Sequence, residues 1–302
     1  MIELGEEQFN ALCRAGPVSA ELGALDDKRR GAVRHFWMSL IGGIVFAGAT
    51  VAVFAGMDLL WLGLVLGVIV FAIGLALGMI PMGRVGGALK QPVLDTLAGQ
   101  NGLTFMQTGF DPPVYPDARK ALFGSWLSSQ SFTDLFHGMD PEGKRFAFYE
   151  AYLARKSGKS TQVVFSGQVY AFQRRTRSGG EIVVVPDRGL FNFFKPVSGM
   201  ERVRFESDPE FEKRFEVYAF HAHEALALIG SDVRRKLLAL RQAGRVFAYV
   251  GPEDVLVAAG AKNKFEPGSM FRATAAEARV RTMFDDVGEA LTHLRALKAA
   301  LG

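Results

Sequence analysis

The chain contains one cysteine, Cys13, among its 302 residues. A lone cysteine cannot form an internal disulfide, and it excludes the paired-cysteine motifs of structural zinc sites and redox centres. This usage is typical of a protein that folds in a reducing compartment. The chain also has only five histidines, so few side chains are available as metal ligands or general bases.

Several motifs of catalysis and cofactor binding are absent as well. The sequence contains no P-loop, no nucleophile elbow and no dinucleotide-binding fingerprint, so no cofactor is predicted. The net charge is only +4, and the basic residues are scattered, which predicts no nucleic-acid partner. These absences leave enzymatic activity open but favour a protein without chemistry of its own.

Charged residues are nearly missing from residue 36 to residue 82, where Asp58 is the only one. It divides this stretch into two apolar runs, Phe36–Met57 and Leu59–Met82. Each run reaches the ~20 residues that a helix needs to cross a bilayer. A pair of buried helices in a soluble core is the alternative, but soluble cores rarely contain two adjacent uncharged runs of this length. The sequence therefore predicts a transmembrane hairpin with a short turn at Asp58.

The charges that flank the hairpin predict its orientation. Basic residues precede the first run and follow the second, whereas the turn has none; they are Lys28, Arg29, Arg30, Arg34, Arg84 and Lys90. Basic flanks stay in the cytoplasm, so we expect a two-pass protein of the bacterial inner membrane with both termini cytoplasmic. The acidic stretch from Met1 to Phe9 does not have the pattern of a signal peptide.

Small residues line one face of the second apolar run, at Gly63, Gly67, Gly74 and Gly78. Small residues let helices approach closely in lipid. This face predicts either packing of the hairpin on itself or a homo-oligomer. The middle of the membrane has no charged residue, which transporters and proton relays usually need, so the hairpin is predicted to be an anchor.

The sequence after the hairpin predicts an α+β domain. A helix is expected at Gly86 to Gln100, and apolar residues then alternate with period two in successive strands. A helix pair ending near Gln242, two short strands about Gly251 and a long C-terminal helix follow. This order favours a largely antiparallel sheet. The predicted domains are a cytoplasmic N-terminal arm (1–34), the transmembrane hairpin (35–83) and a cytoplasmic α+β domain (84–302).

A set of residues in the second half of the chain carries a family resemblance. They are Phe211-Glu212, Phe215, Val217-Tyr218, Glu224-Ala225 and Leu228, with Phe165 and Gly167 upstream. With the hairpin, this pattern resembles the two-helix bacterial membrane proteins catalogued as a domain of unknown function, number 3137. The resemblance covers about Arg34 to Val257 and implies no activity, cofactor or ligand.

Two histidines and a glutamate stand together at His221, His223 and Glu224, and they are candidate metal ligands. Family members usually have aspartate in place of His221, which implies a helix N-cap there and a capping carboxylate at Glu224. Histidines two positions apart share a face on a strand but not on a helix, so the sequence favours the cap over a metal site. The catalytic candidates are His137, His223 and Glu224.

The predicted function is that of a membrane-tethered interaction or sensing module. It would bind a partner protein, a lipid surface or a small ligand through its cytoplasmic domain, with the lipid bilayer as a second partner. One alternative is an enzyme of unknown type at the membrane surface, using groups near His137, Asp140, Tyr149 or the His221–Glu224 segment. Another is a small oligomeric channel-like protein.

Overall fold

The structure is a computed structural model that describes residues 4–124, 127–158, 160–177, 179–187 and 199–302. The helices are α1 (Glu6–Arg14), α2 (Gly16–Ala55), α3 (Leu60–Gln100), α4 (Tyr115–Phe123), α5 (Pro209–Glu212), α6 (Ala222–Leu228), α7 (Ser231–Arg241) and α8 (Ala276–Leu301). The strands are β1 (Thr104–Met106), β2 (Ser129–Met139), β3 (Arg145–Ser157), β4 (Ser160–Gln173), β5 (Ile182–Pro186), β6 (Glu201–Val203), β7 (Phe215–Ala219), β8 (Val246–Val250) and β9 (Asp254–Gly260).

The described chain forms two compact units. A helical unit comprises residues 4–97 and 265–285, and a sheet unit comprises residues 98–264 and 286–302. The chain thus has two long apolar helices followed by an antiparallel sheet, further helices and a long C-terminal helix, which confirms the predicted α+β class. The division of the chain at residues 34 and 83 stays a prediction.

Helices α2 and α3 are long and apolar enough to cross a membrane. The turn between them ends α2 with a left-handed residue, Asp58, at φ 57°. The amide of Asp58 donates to the carbonyl of Ala55, and the amide of Leu59 donates to that of Phe54. This pairing is the Schellman motif, which satisfies the free carbonyls at a helix end. It lets the two helices turn back within a few residues, as the position of Asp58 predicted.

The glycine face of α3 lies against α2 of the same chain. A Cβ on Gly74 would lie 2.9 Å from the Cα of Gly43 and 3.1 Å from the carbonyl oxygen of Ser39. A Cβ on Gly67 would lie 2.9 Å from a methyl carbon of Val51. Of the two predicted uses of this face, the hairpin therefore shows packing on itself. A homo-oligomer through the same four glycines stays a prediction that this packing does not support.

We predict that Gly74→Ala destabilises the hairpin. Because the new methyl group would meet backbone atoms of α2, the helices must separate, at a cost of about 1–3 kcal/mol. Gly48→Ala is the matched control, since no atom lies within 4 Å of its added Cβ. Unfolding of the full chain in mixed micelles measures both variants. Equal stability of the two would contradict the packing described above.

Beyond the apolar runs, α2 and α3 continue without a break into a bundle within the helical unit. The helix predicted at Gly86 to Gln100 is the second half of α3, even though Pro81 and Pro92 lie inside that helix. The bundle buries apolar side chains of α1, of the water-side parts of α2 and α3, and of the start of α8; they include Phe9, Leu12, Val18, Leu25, Leu89, Val93, Val280 and Phe284. Burial of these side chains stabilises the parts of α2 and α3 that continue beyond the two apolar runs.

The sheet unit is built on nine antiparallel strands in the described residues, in the order β1-β2-β3-β4-β9-β8-β5-β7-β6. One face packs against α4, with Phe123 of that helix 4.9 Å from the ring of Phe247. The other face is covered by the second half of α8, where His293 lies 6.1 Å from the ring of Tyr170. With both faces covered, the long strands β3 and β4 are buried on both sides and set the core.

Candidate functional site

A cleft of about 950 Å³ opens at one end of the sheet, and we call it the strand-end cleft. The end of β2, the start of β3, the end of β4 and the start of β9 meet there, because neighbouring antiparallel strands bring starts and ends to the same edge. The loop at 109–114 and the first turn of α4 complete the wall. A volume of this size is in the range of ligand-binding sites.

The loop that closes the cleft is held in place by a buried tyrosine. The Tyr149 hydroxyl donates a hydrogen bond of 3.1 Å to the carbonyl of Pro113. Burial raises the pKa of Tyr149 well above its ordinary value, so the hydroxyl keeps its proton and its donor role. The next residue, Val114, has φ 63°, a left-handed conformation that is rare and strained for a β-branched side chain. Strained backbone of this kind often occurs at ligand-binding sites.

Polar side chains converge on the cleft from five parts of the chain. Asp111 and Asp117 come from the closing loop and α4, Arg145 begins β3, and Asp254 begins β9 opposite Gln173. Three carboxylates and one arginine give the lining a net negative charge. The apolar part of the wall includes three phenylalanines, Phe110, Phe146 and Phe172.

Asp254 is a carboxyl group of the cleft whose pKa is shifted by its surroundings. Burial raises the pKa of this carboxyl, Arg145 opposes the shift, and the negative charges of Glu253 and Asp117 add to it. A raised pKa means that Asp254 gives up its proton less readily than an exposed aspartate. A cation entering the cleft would favour the charged carboxylate, so binding and ionisation are coupled at this position.

His137, a candidate from the sequence, lines the strand-end cleft on β2. It is in register with Thr104 of β1 and Ala147 of β3. The other two catalytic candidates, His223 and Glu224, belong to α6 and are not among the residues that line the cleft. The structure therefore does not bring the three candidates together, and a catalytic role for each stays a prediction.

The other hairpin residues named for an enzyme have structural partners. Asp140 pairs with Lys298 of α8 and accepts hydrogen bonds from the amides of Glu142 and Lys144. Tyr149 supports the closing loop. Of these groups, only His137 is among the residues that line the strand-end cleft.

The His221–Glu224 segment lies at the start of α6, with His221 at the N-cap in an extended conformation. Both imidazoles are exposed, their ring centroids are 6.0 Å apart, and the ring planes differ by 36°. In the part of the chain that the structure describes, no group of three or more histidine, cysteine, aspartate or glutamate side chains could hold a metal ion. A metal site at His221, His223 and Glu224 stays the less favoured alternative to the helix cap.

Glu224 faces a buried arginine. One of its carboxylate oxygens lies 2.6 Å from the position that a Cβ on Gly179 would occupy, and its charge acts on Arg174. Arg174 is only 6% exposed, and burial lowers its pKa while Glu224 raises it. The α6 start has no side-chain hydrogen bond from its N-cap residue. Glu224 thus has an electrostatic partner that the capping interpretation did not include.

Sequence reasoning did not identify Asp111, Asp117, Arg145 or Asp254. They lie far apart along the chain, and none belongs to a catalytic or binding motif. The one local signal is the loop sequence Asp111-Pro112-Pro113-Val114-Tyr115-Pro116-Asp117, whose prolines predict a rigid connection between two carboxylates.

Comparison with known proteins gives a family match over part of the chain and one distant structural likeness. No curated protein matches the chain. The crystal structure of the mycobacterial trehalose monomycolate transport factor A, TtfA, is similar over 64% of this chain and 92% of that chain, with 9% sequence identity and a TM-score of 0.35. Residues 163–297 match the family described as "Protein of unknown function (DUF3137)", which confirms the family resemblance carried by the Phe211–Leu228 motif.

Proposed function

We propose that this protein is a membrane-tethered binding module whose strand-end cleft takes a basic segment of a partner protein. The helices α2 and α3 anchor it as a two-pass protein of the bacterial inner membrane. Both termini and the sheet unit lie in the cytoplasm, in agreement with the basic flanks of the hairpin. The observation that carries the binding role is the cleft itself, with its convergent carboxylates.

The charge and shape of the cleft favour a cationic ligand. Three carboxylates against one arginine attract a positive charge, and a bound cation would oppose the upward shift in the pKa of Asp254. The phenylalanine-lined wall suits the aliphatic stem of a lysine or arginine side chain, which packs on apolar surface while its head group stays polar. A cleft of about 950 Å³ exceeds the need of one small amine and has room for several residues.

Catalysis is a second candidate function, and one observation favours it. His137 and a carboxyl with a raised pKa, Asp254, line the same cleft. Acids with a perturbed pKa that lie in a cleft are typical of active sites. A substrate turned over by the wild type and not by His137→Gln would support this function over simple binding.

We predict that the double variant Asp117→Asn/Asp254→Asn weakens partner capture by about tenfold to a hundredfold, since each ion pair removed from a partly buried site costs on the order of 1.4 kcal/mol, which is about tenfold. The probe is a photoactivatable crosslinker attached to Met139→Cys in a Cys13→Ser background, because Met139 lines the cleft and is 68% exposed. Crosslinked products from native membranes are quantified by mass spectrometry.

Glu206→Gln is the matched control, because Glu206 is an exposed carboxylate that does not line the cleft. If Glu206→Gln lowers the yield of crosslinked product as much as Asp117→Asn/Asp254→Asn does, the cleft is not the binding site. The labelled position also reports sidedness. A membrane-impermeant maleimide added to intact spheroplasts should leave Met139→Cys unmodified, and rapid labelling there would reverse the proposed orientation.

A further inference from the structure

We infer that residues 267–272, which we call the interfacial loop, form a third membrane contact that inserts Phe271 at the lipid boundary. In this arrangement, nearby arginines bind anionic phospholipid head groups. The inference rests on the proposed membrane insertion of α2 and α3 and adds a contact from a distant part of the sequence.

The interfacial loop is fixed in place by one buried arginine. Arg279 is 2% exposed, and its guanidinium donates to the carbonyls of Pro267, Ser269 and Arg272 at 2.7, 3.1 and 2.7 Å. The residue before the loop, Glu266, pairs at 2.6 Å with Lys90 of α3, which is itself buried. The conformation of the loop and its place on the bundle are therefore set from within the helical unit.

The contacts of the loop define its depth relative to the apolar runs. Pro267 and Met270 lie beside Gly86, on the water side of the second apolar run. Phe271 packs edge-on against Phe36 with 4.8 Å between ring centroids. Phe36 begins the first apolar run, and its ring lies against Gly78 of the second.

These contacts place Phe271 as the part of the loop closest to the membrane. Gly78 is four residues inside the end of the second run at Met82, which corresponds to about 6 Å along a helix. Phe271 contacts the residue at that level and thus lies at the boundary between hydrocarbon and head groups.

The exposure of Phe271 matches a lipid contact. Its side chain is 42% exposed, and Trp37, whose ring contacts the same Phe36, is 53% exposed. The two aromatic residues continue the exposed apolar surface of α2 and α3 at its cytoplasmic end. Tryptophan concentrates at this depth in membrane proteins because its ring system is apolar and its N–H is polar, so Trp37 marks the interface beside Phe271. The continuity with the membrane helices is what favours lipid over a protein partner.

Positive charge surrounds this position. Arg34, Arg84 and Arg272 are exposed, and no ion pair involves them in the described part of the chain. Each lies within a few residues of the boundary defined above. Basic residues at this level attract anionic lipids, because they lie within the Debye length over which the attraction to the membrane surface acts.

The test uses an environment-sensitive fluorophore (NBD) on Phe271→Cys of the full-length Cys13→Ser protein in phosphatidylcholine vesicles, with and without phosphatidylglycerol. Lipids spin-labelled near the head group serve as quenchers. Met38→Cys, on the exposed apolar surface of α2, is the membrane control, and Met139→Cys, on the sheet unit, is the aqueous control. Arg272→Cys is a second labelling position on the loop, since it is exposed and its side chain has no partner in the described residues.

We expect the label at 271 to be quenched several-fold more strongly than the label at 139, and more strongly when phosphatidylglycerol is present. If position 38 is quenched and position 271 behaves like position 139, the loop contact is overturned while the membrane hairpin stands. If position 38 is also unquenched, the hairpin proposal fails, and the inference fails with it. Equal quenching at 271 in both vesicle types would overturn the role of anionic head groups.

Discussion

Phe211→Ala is expected to lower the free energy of unfolding of the sheet unit by about 3–5 kcal/mol, the usual cost of deleting a buried phenylalanine ring. Phe211 is fully buried on α5, stacked at 5.0 Å on Phe215 and edge-on at 5.5 Å to Phe205. Removing its ring leaves a cavity between two other aromatic rings, and close-packed neighbours relax into such a space only in part.

The surroundings of Phe211 are fixed, which limits that relaxation. The Asp208 carboxylate accepts a hydrogen bond from the Phe211 amide and pairs with Arg234 at 2.7 Å. Arg234 also lies over the Phe205 ring, 5.1 Å from its centroid. Glu212 accepts a 2.7 Å hydrogen bond from the amide of Phe205. Each of these contacts holds one wall of the cavity that the substitution would create.

Phe211→Leu is the control, because it keeps most of the apolar volume and should cost clearly less than the alanine variant. Denaturant titration of the full-length protein in micelles, followed by circular dichroism of the sheet, measures both. A loss of about 0.5 kcal/mol or less for Phe211→Ala would contradict the packing, since surface substitutions usually have effects of that size.

Phe211 belongs to the Phe211–Leu228 motif that carries the family resemblance, and several residues of that motif are part of the core. Phe211, Phe215, Val217 and Ala225 are all buried. Glu212 holds the backbone of the preceding segment and also approaches Arg202 at 3.6 Å. In this chain, these residues of the motif therefore belong to the core of the sheet unit, and the residues proposed for binding lie in the strand-end cleft.

Asp140→Ala is expected to cost about 3 kcal/mol, because it leaves the ammonium group of Lys298 without its partner in a site where both side chains are about one-tenth exposed. The Asp140 carboxylate also accepts hydrogen bonds from the amides of Glu142 and Lys144 in the turn between β2 and β3. The substitution thus loosens both the turn and the end of α8. Glu142→Gln is the matched control in the same turn, since its exposed pair with Arg175 should contribute only about 0–1 kcal/mol.

The same carboxylate predicts a pH dependence. Burial raises the pKa of Asp140, but the hydrogen bonds from Lys298, Lys144 and Glu142 and the charge of Lys298 outweigh it, and the pKa lies below its ordinary value. The unfolded chain therefore takes up the proton first as the pH falls. The contribution is fully present above a pH of about 4 and is lost below it. Denaturation of wild type and Asp140→Ala at several pH values should give a difference that shrinks in acid, and a difference independent of pH would be inconsistent with this assignment.

Elements with a local cause follow from the sequence alone. Two uncharged runs separated by Asp58 specify a hairpin, because a buried backbone in lipid must satisfy its own hydrogen bonds within helices. Alternation with period two, broken by the Asp140–Gly143 turn, specifies the strands β2 and β3. The four glycines on one face of α3 also indicated close helix packing.

Contacts between distant residues, in contrast, depend on how the elements pack in three dimensions. Asp117 and Asp254 share a cleft because the antiparallel order of β4 and β9 brings the start of β9 to the edge where α4 begins, and no local pattern encodes that order. Phe271 meets Phe36 because Arg279 binds three carbonyls of the interfacial loop, and an arginine in a sequence does not show what it will bind. Hydrophobic periodicity predicts which face of a helix or strand is buried. It does not predict which other element packs against that face, because this depends on the tertiary fold of the whole chain.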